Sequence, residues 1–183
     1  MIEVKFINKS FEGNPILNDV SAKFEQGKTN LIIGQSGSGK TVLLKCLLGL
    51  HEPDNGEVLF DGISTTEMTD SQKTFLRRDI GMVFQGSALF DSMTVLENVM
   101  FPLIMLTEKN RDEIIEIAQN VIKRVELENA FSKLPSELSG GMQKRVAIAR
   151  AIVMNPKYLF CDEPNSGLDP KTAIVIDNLI QEI

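Results

Sequence analysis

The run Gly34-Gln35-Ser36-Gly37-Ser38-Gly39-Lys40-Thr41 sets glycines, a lysine and a hydroxyl in the spacing G-x-x-x-x-G-K-S/T. Glycines let the backbone wrap a phosphate so that successive N–H groups point inward, and the positive end of a following helix strengthens the field. Lys40 would bring a mobile charge to β- and γ-phosphates, and the Thr41 hydroxyl can ligate Mg2+. A plain glycine-rich turn is the other reading of such a run. The context favours phosphate, because an apolar strand, Thr29–Ile33, is expected before the loop and a helix after it.

Two further segments carry chemistry. Cys161-Asp162-Glu163-Pro164 follows the apolar stretch from Tyr158. Asp162, at a strand's end, sits where an Mg2+-directing carboxylate is needed, and Glu163 could orient or deprotonate an attacking water. Alone, two acids after a strand more often form a solvated turn; beside a phosphate loop they read as functional. Leu138-Ser139-Gly140-Gly141-Met142-Gln143 offers free N–H groups, a hydroxyl and a helix start, hence a second anion site. An ordinary helix cap would look the same.

The elements that must position these groups follow from pattern. Alternation in Ile2–Val4–Phe6 and Val20–Ala22–Phe24 predicts half-buried strands, with turns at Asn14–Pro15 and Gln26–Gly27. A nearly all-round apolar helix runs from Val42 to Leu48 and stops at Gly49. A turn at Asp54–Gly56, a strand at Glu57–Phe60, a helix at Asp70–Arg78 capped by Asp70, and a strand from Ile80 to Phe84 follow. Thr94 to Leu127 is helical in character, a further helix opens at Ser139, Tyr158–Cys161 is a strand, and Pro170 begins a last helix. Strands at both ends around a helical block predict an α/β core (1–90 and 155–183) carrying an inserted helical subdomain (about 91–154).

Composition narrows the function. The 183 residues carry 19 Lys+Arg against 25 Asp+Glu, a net charge of −6. The basic footprint of a nucleic-acid or anionic-membrane binder is missing. The longest apolar stretch, Val99–Leu106, contains Pro102 and falls short of a membrane span, and the N-terminus lacks the pattern of a secretory signal. Cys46 and Cys161 read as buried thiols of a reducing compartment. His51, before Pro53, reads as an exposed turn residue.

The order of the three motifs, with Gln85 closing the strand from Ile80, resembles the ATPase domain of the ABC transporter family over essentially the whole chain. The resemblance implies a P-loop NTPase core of mostly parallel sheet with flanking helices, an N-terminal antiparallel β part and the helical subdomain. It implies that Phe11 stacks on adenine where the family usually has tyrosine (a core aromatic is the other reading), and that residues Gly34 to Thr41 hold the phosphates of ATP. Lys40, Gln85 and Glu163 become the catalytic groups; Thr41, Gln85 and Asp162 become the Mg2+ ligands. Ser139, Gly140 and Gly141 match the signature that binds the γ-phosphate held by an opposite subunit. Ser166–Asp169 matches a loop that crosses the dimer interface, with Asn165 where threonine is common. The implied assembly is a head-to-tail homodimer with two sandwiched ATPs, on the cytoplasmic face of the inner membrane, peripheral to a transmembrane permease, without nucleic acid.

Within the family, Phe84–Val95, Glu97–Val99 and Phe101–Leu103 resemble the ATPase of Mla-type phospholipid transporters, which work with Mce-type lipid-binding proteins to maintain outer-membrane lipid asymmetry. Amino-acid importers, a non-transport ATPase, and a nucleotide-gated binding module without turnover are the alternatives. The family's switch histidine falls beyond Ile183, so the resemblance also implies a C-terminally truncated domain that binds or hydrolyses nucleotide less well.

Overall fold

The computed structural model describes residues 1–183. The chain forms two compact units, Met1–Leu76 and Arg77–Ile183.

The first unit is built on an antiparallel sheet of order β2-β1-β3-β4, from β1 (Ile2–Phe11), β2 (Asn14–Phe24), β3 (Asn55–Phe60) and β4 (Ile63–Ser64). The β1–β2 hairpin turns at Glu12–Gly13, both with positive φ (51° and 79°), the backbone that a tight two-residue hairpin demands. Asn14 and Pro15 therefore open β2 rather than form the turn. Alternation along β1 breaks at Phe6, whose φ of 51° makes a bulge. Phe6 swings out to 64% exposure and Ile7 takes the core position. Asn8 stabilises the irregular stretch, accepting from the Asp19 N–H at 3.0 Å and donating to the Phe6 carbonyl at 2.8 Å.

The predicted strand Thr29–Ile33 is not formed. No strand pairs with it, and Leu31 and Ile33 stand 82% exposed. An apolar run becomes a strand only where a neighbour supplies the ladder. The one fixed point here is Asn30, whose carboxamide bonds the N–H and carbonyl of Glu25. Helix α1 (Lys40–Leu47) buries Leu43, Leu44, Cys46 and Leu47 and ends at Gly49, which takes the left-handed φ of a helix stop. Helix α2 (Asp70–Arg78) is capped by Thr69 rather than by Asp70: the Thr69 hydroxyl accepts from Gln72 N–H while the Gln72 side chain accepts from Thr69 N–H.

The second unit holds the parallel pair β5 (Ile80–Val83) and β6 (Tyr158–Cys161), in register Ile80↔Tyr158 to Val83↔Cys161. The crossover between them is helical: α3 (Val95–Leu106), α4 (Arg111–Arg124) and α5 (Gly140–Ile152), with α6 (Pro170–Glu182) after β6. Apolar stripes of these helices close one core around Val83, Val99, Ile122, Val146, Ile148 and Ile176, all essentially without exposure. Capping boxes at Thr94/Glu97 and Asn110/Glu113 set where α3 and α4 begin. Asn98 is fully buried and still satisfied, accepting from Phe90 N–H and donating to the carbonyls of Phe90, Met93 and Thr94. Both cysteines are free; burial pushes the Cys161 thiol up to about 11 and raises that of Cys46, which makes them inert packing groups. The expected α/β architecture with an antiparallel β part is present. No helix is long and apolar enough to cross a membrane.

Candidate functional site

Candidate groups lie in both units. In the first, Gly34–Thr41 is a bend ending at the N-terminus of α1. Gly37 and Gly39 have φ of 79° and 91°, and Gly39 is the N-cap with no side chain over the first turn. The α1 dipole and its leading N–H groups are thus uncovered by any capping side chain. Gly39 is also required by packing: a Cβ there would meet Leu17 Cδ2 at 2.9 Å and the Ile16 carbonyl at 3.1 Å. Ser38 N–H donates to the Gln35 carbonyl at 3.2 Å, closing the loop. Lys40 folds back, its ammonium donating to the carbonyls of Gly34 (2.8 Å) and Gln35 (2.9 Å). A cation tethered only by neutral carbonyls is available to a stronger, anionic acceptor. Gln35, Ser36 and Ser38 are exposed on the same loop.

Phe11 closes β1 at 39% exposure, which supports a partly open ring face over a core aromatic. Lys9 Nζ lies 5.5 Å from its ring centre, and His51 packs edge-on at 5.4 Å. His51 is therefore half-buried against Phe11 rather than the exposed turn residue expected. Asp54 fixes this corner, accepting from the Lys9 ammonium at 2.7 Å and the Ser10 N–H at 2.6 Å; the Lys9 bond, then the Ser10 bond, hold its carboxyl below the usual range.

In the second unit, Asp162 follows β6, its N–H bonded to the Val83 carbonyl. Glu163 turns outward at φ 46° and is exposed. Gln85, just past β5, donates through Nε2 to Glu163 Oε2 at 2.9 Å and to Ser166 Oγ at 3.3 Å. Three of the sequence-selected positions are thus in direct contact. Gln85 and Asp162 in this unit, and Thr41 in the first, each carry a hard oxygen donor of the kind Mg2+ prefers. No cluster of three or more His, Cys, Asp or Glu offers a metal site; an ion completed by phosphate oxygens and water needs none.

Ser139 caps α5, its hydroxyl accepting from Met142 N–H at 3.3 Å. The helix-cap reading is therefore correct, and it leaves the anion reading open, because Gly140 and Gly141 lack side chains over the same turn. Gly141 is closely packed: a Cβ there would lie 2.5 Å from Thr172 Cγ2, so the Thr172 side chain would have to move. A cavity of about 460 Å3 adjoins this turn, walled by Ser139–Met142, Arg145 and Gly167–Asp169. Asp169 caps α6 through the N–H groups of Lys171 and Thr172, and its bond from the Thr172 hydroxyl (2.5 Å) is the largest cause of its lowered pKa. A second groove of about 290 Å3 lies beside β5 and α3, with Met82, Phe84, Phe101 and Pro102 in its walls and Arg77, Arg78 and Arg150 around it. The Val99–Leu106 segment divides between two environments: Val99, Met100 and Leu103 are core, while Phe101, Pro102 and Leu106 line the groove.

Sequence reasoning missed two residues of this region. Lys144 is 4% exposed and donates to the backbone carbonyl of Gln85; Arg150 donates to the Ser87 carbonyl at 3.0 Å. The available signal was a long cation on the apolar face of α5, among Val146, Ala147, Ile148 and Ala151.

A profile described as ABC transporter matches residues 17–166. The chain is 41% identical to the "Probable ribonucleotide transport ATP-binding protein mkl" of Mycobacterium leprae, over all of this chain and 52% of that protein. It is 40% identical to the L-cystine import ATP-binding protein TcyC of Bacillus subtilis, over all of this chain and 75% of that protein. The chain thus spans about half the length of the mycobacterial relative. Among solved structures it is similar to the dimeric bacterial ABC transporter cassette MJ0796, with TM-score 0.89, 38% identity, and coverage of 100% of this chain and 82% of that one. The same cassette in a post-hydrolysis state bound to ADP and Pi gives TM-score 0.89 at 37% identity, with the same coverage.

Proposed function

Because this chain belongs to the ABC transporter family, we propose that it is an ATP-binding and ATP-hydrolysing subunit that energises a membrane transporter. The observation that carries the reading is the contact from Gln85 Nε2 to Glu163 Oε2 at 2.9 Å, a carboxylate held by an amide just after a strand pair. Glu163 takes a proton from the water whose oxygen attacks the γ-phosphorus; the bond to the β-phosphate oxygen breaks and ADP leaves. Gln85 orients that water and the carboxylate. Lys40 exchanges the Gly34 and Gln35 carbonyls for β- and γ-phosphate oxygens, and the N–H groups of Gly37 to Thr41 supply fixed donors as charge develops. Mg2+, read as held by Thr41, Gln85 and Asp162, supplies charge neutralisation at the phosphates when bound. Phe11 offers a stacking face to adenine.

Ser139, Gly140 and Gly141 complete the phosphate site of a second copy, which makes the working unit a head-to-tail dimer with two ATPs between the copies. The dimeric cassette at TM-score 0.89 supports this. We read residues 1–90 and 155–183 as the nucleotide-binding core and about 91–154 as the signature subdomain. The groove beside β5 suits a permease segment at the cytoplasmic face of the inner membrane. Its apolar walls ringed by arginines favour an amphipathic helix.

For the cargo, the Phe84–Val95 run and the Phe101–Leu103 stretch support phospholipid transport of the Mla type, with an Mce-type protein further along the route. Import of amino acids is the second reading, favoured by the cystine-import relative, 75% of which this chain covers. The ATPase reading is tested by titrating the chain with ATP with and without Mg2+, alongside phosphate release. Saturable, Mg2+-dependent binding with release of phosphate is expected; no binding at millimolar nucleotide contradicts it.

A further inference from the structure

The loop that carries Gln85 is bent hard. Ser87 and Ala88 are consecutive residues with left-handed backbone, φ 62° and 49°, a conformation non-glycine residues hold only when surrounding bonds fix it. Within the loop, Ser87 N–H reaches the Phe84 carbonyl and Ala88 N–H the Gly86 carbonyl. The remaining restraints come from helices. Asn98 of α3 bonds both backbone groups of Phe90. Two cations of α5 take the carbonyls between: Lys144 Nζ donates to Gln85, and Arg150 Nη2 donates to Ser87 at 3.0 Å while its guanidinium lies 5.6 Å from the Phe90 ring centre.

Both cations are placed at a desolvation cost. Lys144 is 4% exposed and burial lowers its pKa, with the Asp162 carboxylate opposing that shift; burial also lowers that of Arg150. Neither makes a salt bridge. Apolar side chains would fill these positions on α5 without that cost. What a cation adds is a strong, directional bond to a backbone carbonyl. Both bonds go to the same short loop, which aims Gln85 at Glu163 and Ser166.

We infer that Lys144 and Arg150 are positioning residues, which pin the Gln85 loop to the helix that begins at Ser139–Gly141, so that loop and helix move as one piece. The consequence rests on the ATPase reading: a displacement at the start of α5, where a second copy's phosphate is expected, is transmitted through two hydrogen bonds to the residue that orients Glu163.

The test compares the wild-type chain with Lys144→Met, Lys144→Arg and Arg150→Lys by amide exchange and by MgATP kinetics. In Lys144→Met, exchange at Gly86, Ser87 and Ala88 is expected to rise about tenfold, the loss of one charged hydrogen bond, with Val146–Ala149 unchanged. kcat is expected to fall about tenfold with KM within about twofold, as for a group that acts after binding. Lys144→Arg should restore both. Loop exchange and kcat that stay at wild-type values in Lys144→Met overturn the inference, as does a KM rise with kcat intact. If Lys144→Met does not fold, Arg150→Lys, which keeps the charge and shortens the reach, gives the same two readouts. A wild-type chain that neither binds nor turns over MgATP defeats the ATPase reading instead, and the exchange arm then decides the pinning alone.

Discussion

Glu163→Gln is expected to abolish phosphate release from MgATP while leaving nucleotide affinity intact. The substitution keeps the side chain's length and its contact with Gln85, because the new carboxamide oxygen can still accept from Nε2, as Glu163 Oε2 does now at 2.9 Å. It removes the one property a general base needs, the capacity to take a proton. A positioned base contributes about 10²- to 10⁴-fold, so kcat should fall by that factor. Affinity should persist because Glu163 is exposed and is not among the phosphate-loop donors Gly34–Thr41. Side-by-side phosphate release and equilibrium MgATP binding check both halves. Turnover unchanged in the variant would remove Glu163 from the chemistry and favour a nucleotide-gated binding module.

Lys40→Met is expected to have the opposite signature, a loss of binding that depends on how many phosphates the nucleotide carries. Lys40 now bonds two neutral carbonyls, those of Gly34 and Gln35. Exchanging them for phosphate oxygens converts ordinary hydrogen bonds into charge-paired ones, a gain of about 1.5–3 kcal/mol. Affinity for ATP should therefore drop about 10- to 100-fold. AMP, which lacks the β- and γ-phosphates that such a lysine reaches, should be bound equally by both forms. Methionine matches the stem's bulk, so the unfolding midpoint should barely move. Titration calorimetry with ATP, ADP and AMP reads this series directly; an equal loss for all three would mean that Lys40 shapes the loop rather than meeting phosphate.

How far these groups could be read from the sequence depends on whether their reasons are local. The phosphate loop was legible because backbone conformation dictates its composition: φ of 79° and 91° at Gly37 and Gly39 excludes most side chains. Helix starts were legible for the same reason, as at Ser139. At α2, two adjacent candidates left the choice to geometry, and Thr69 rather than Asp70 became the cap. Non-local outcomes were harder. The bulge at Phe6 reverses the inward face of β1, and only the pairing to β2 and β3 reveals it. Thr29–Ile33 has every local mark of a strand and forms none, since strands are made by their neighbours. Nothing local to Lys144 marks its bond; its place appears only once α5 is laid against the Gln85 loop. The family resemblance named Gln85 and Glu163 separately; their contact is explained by the parallel register of β5 and β6, where Val83 pairs with Cys161 so that both side chains sit just past the paired strand ends.

The central claim is that one copy's phosphate site is completed by the Ser139–Gly141 turn of another. It is tested most directly by sedimentation equilibrium of the Glu163→Gln chain, which holds ATP without consuming it, with and without MgATP. A doubling of mass with MgATP, reversed when ADP replaces ATP, is the predicted result. A mass that stays monomeric while calorimetry shows the nucleotide bound would contradict it.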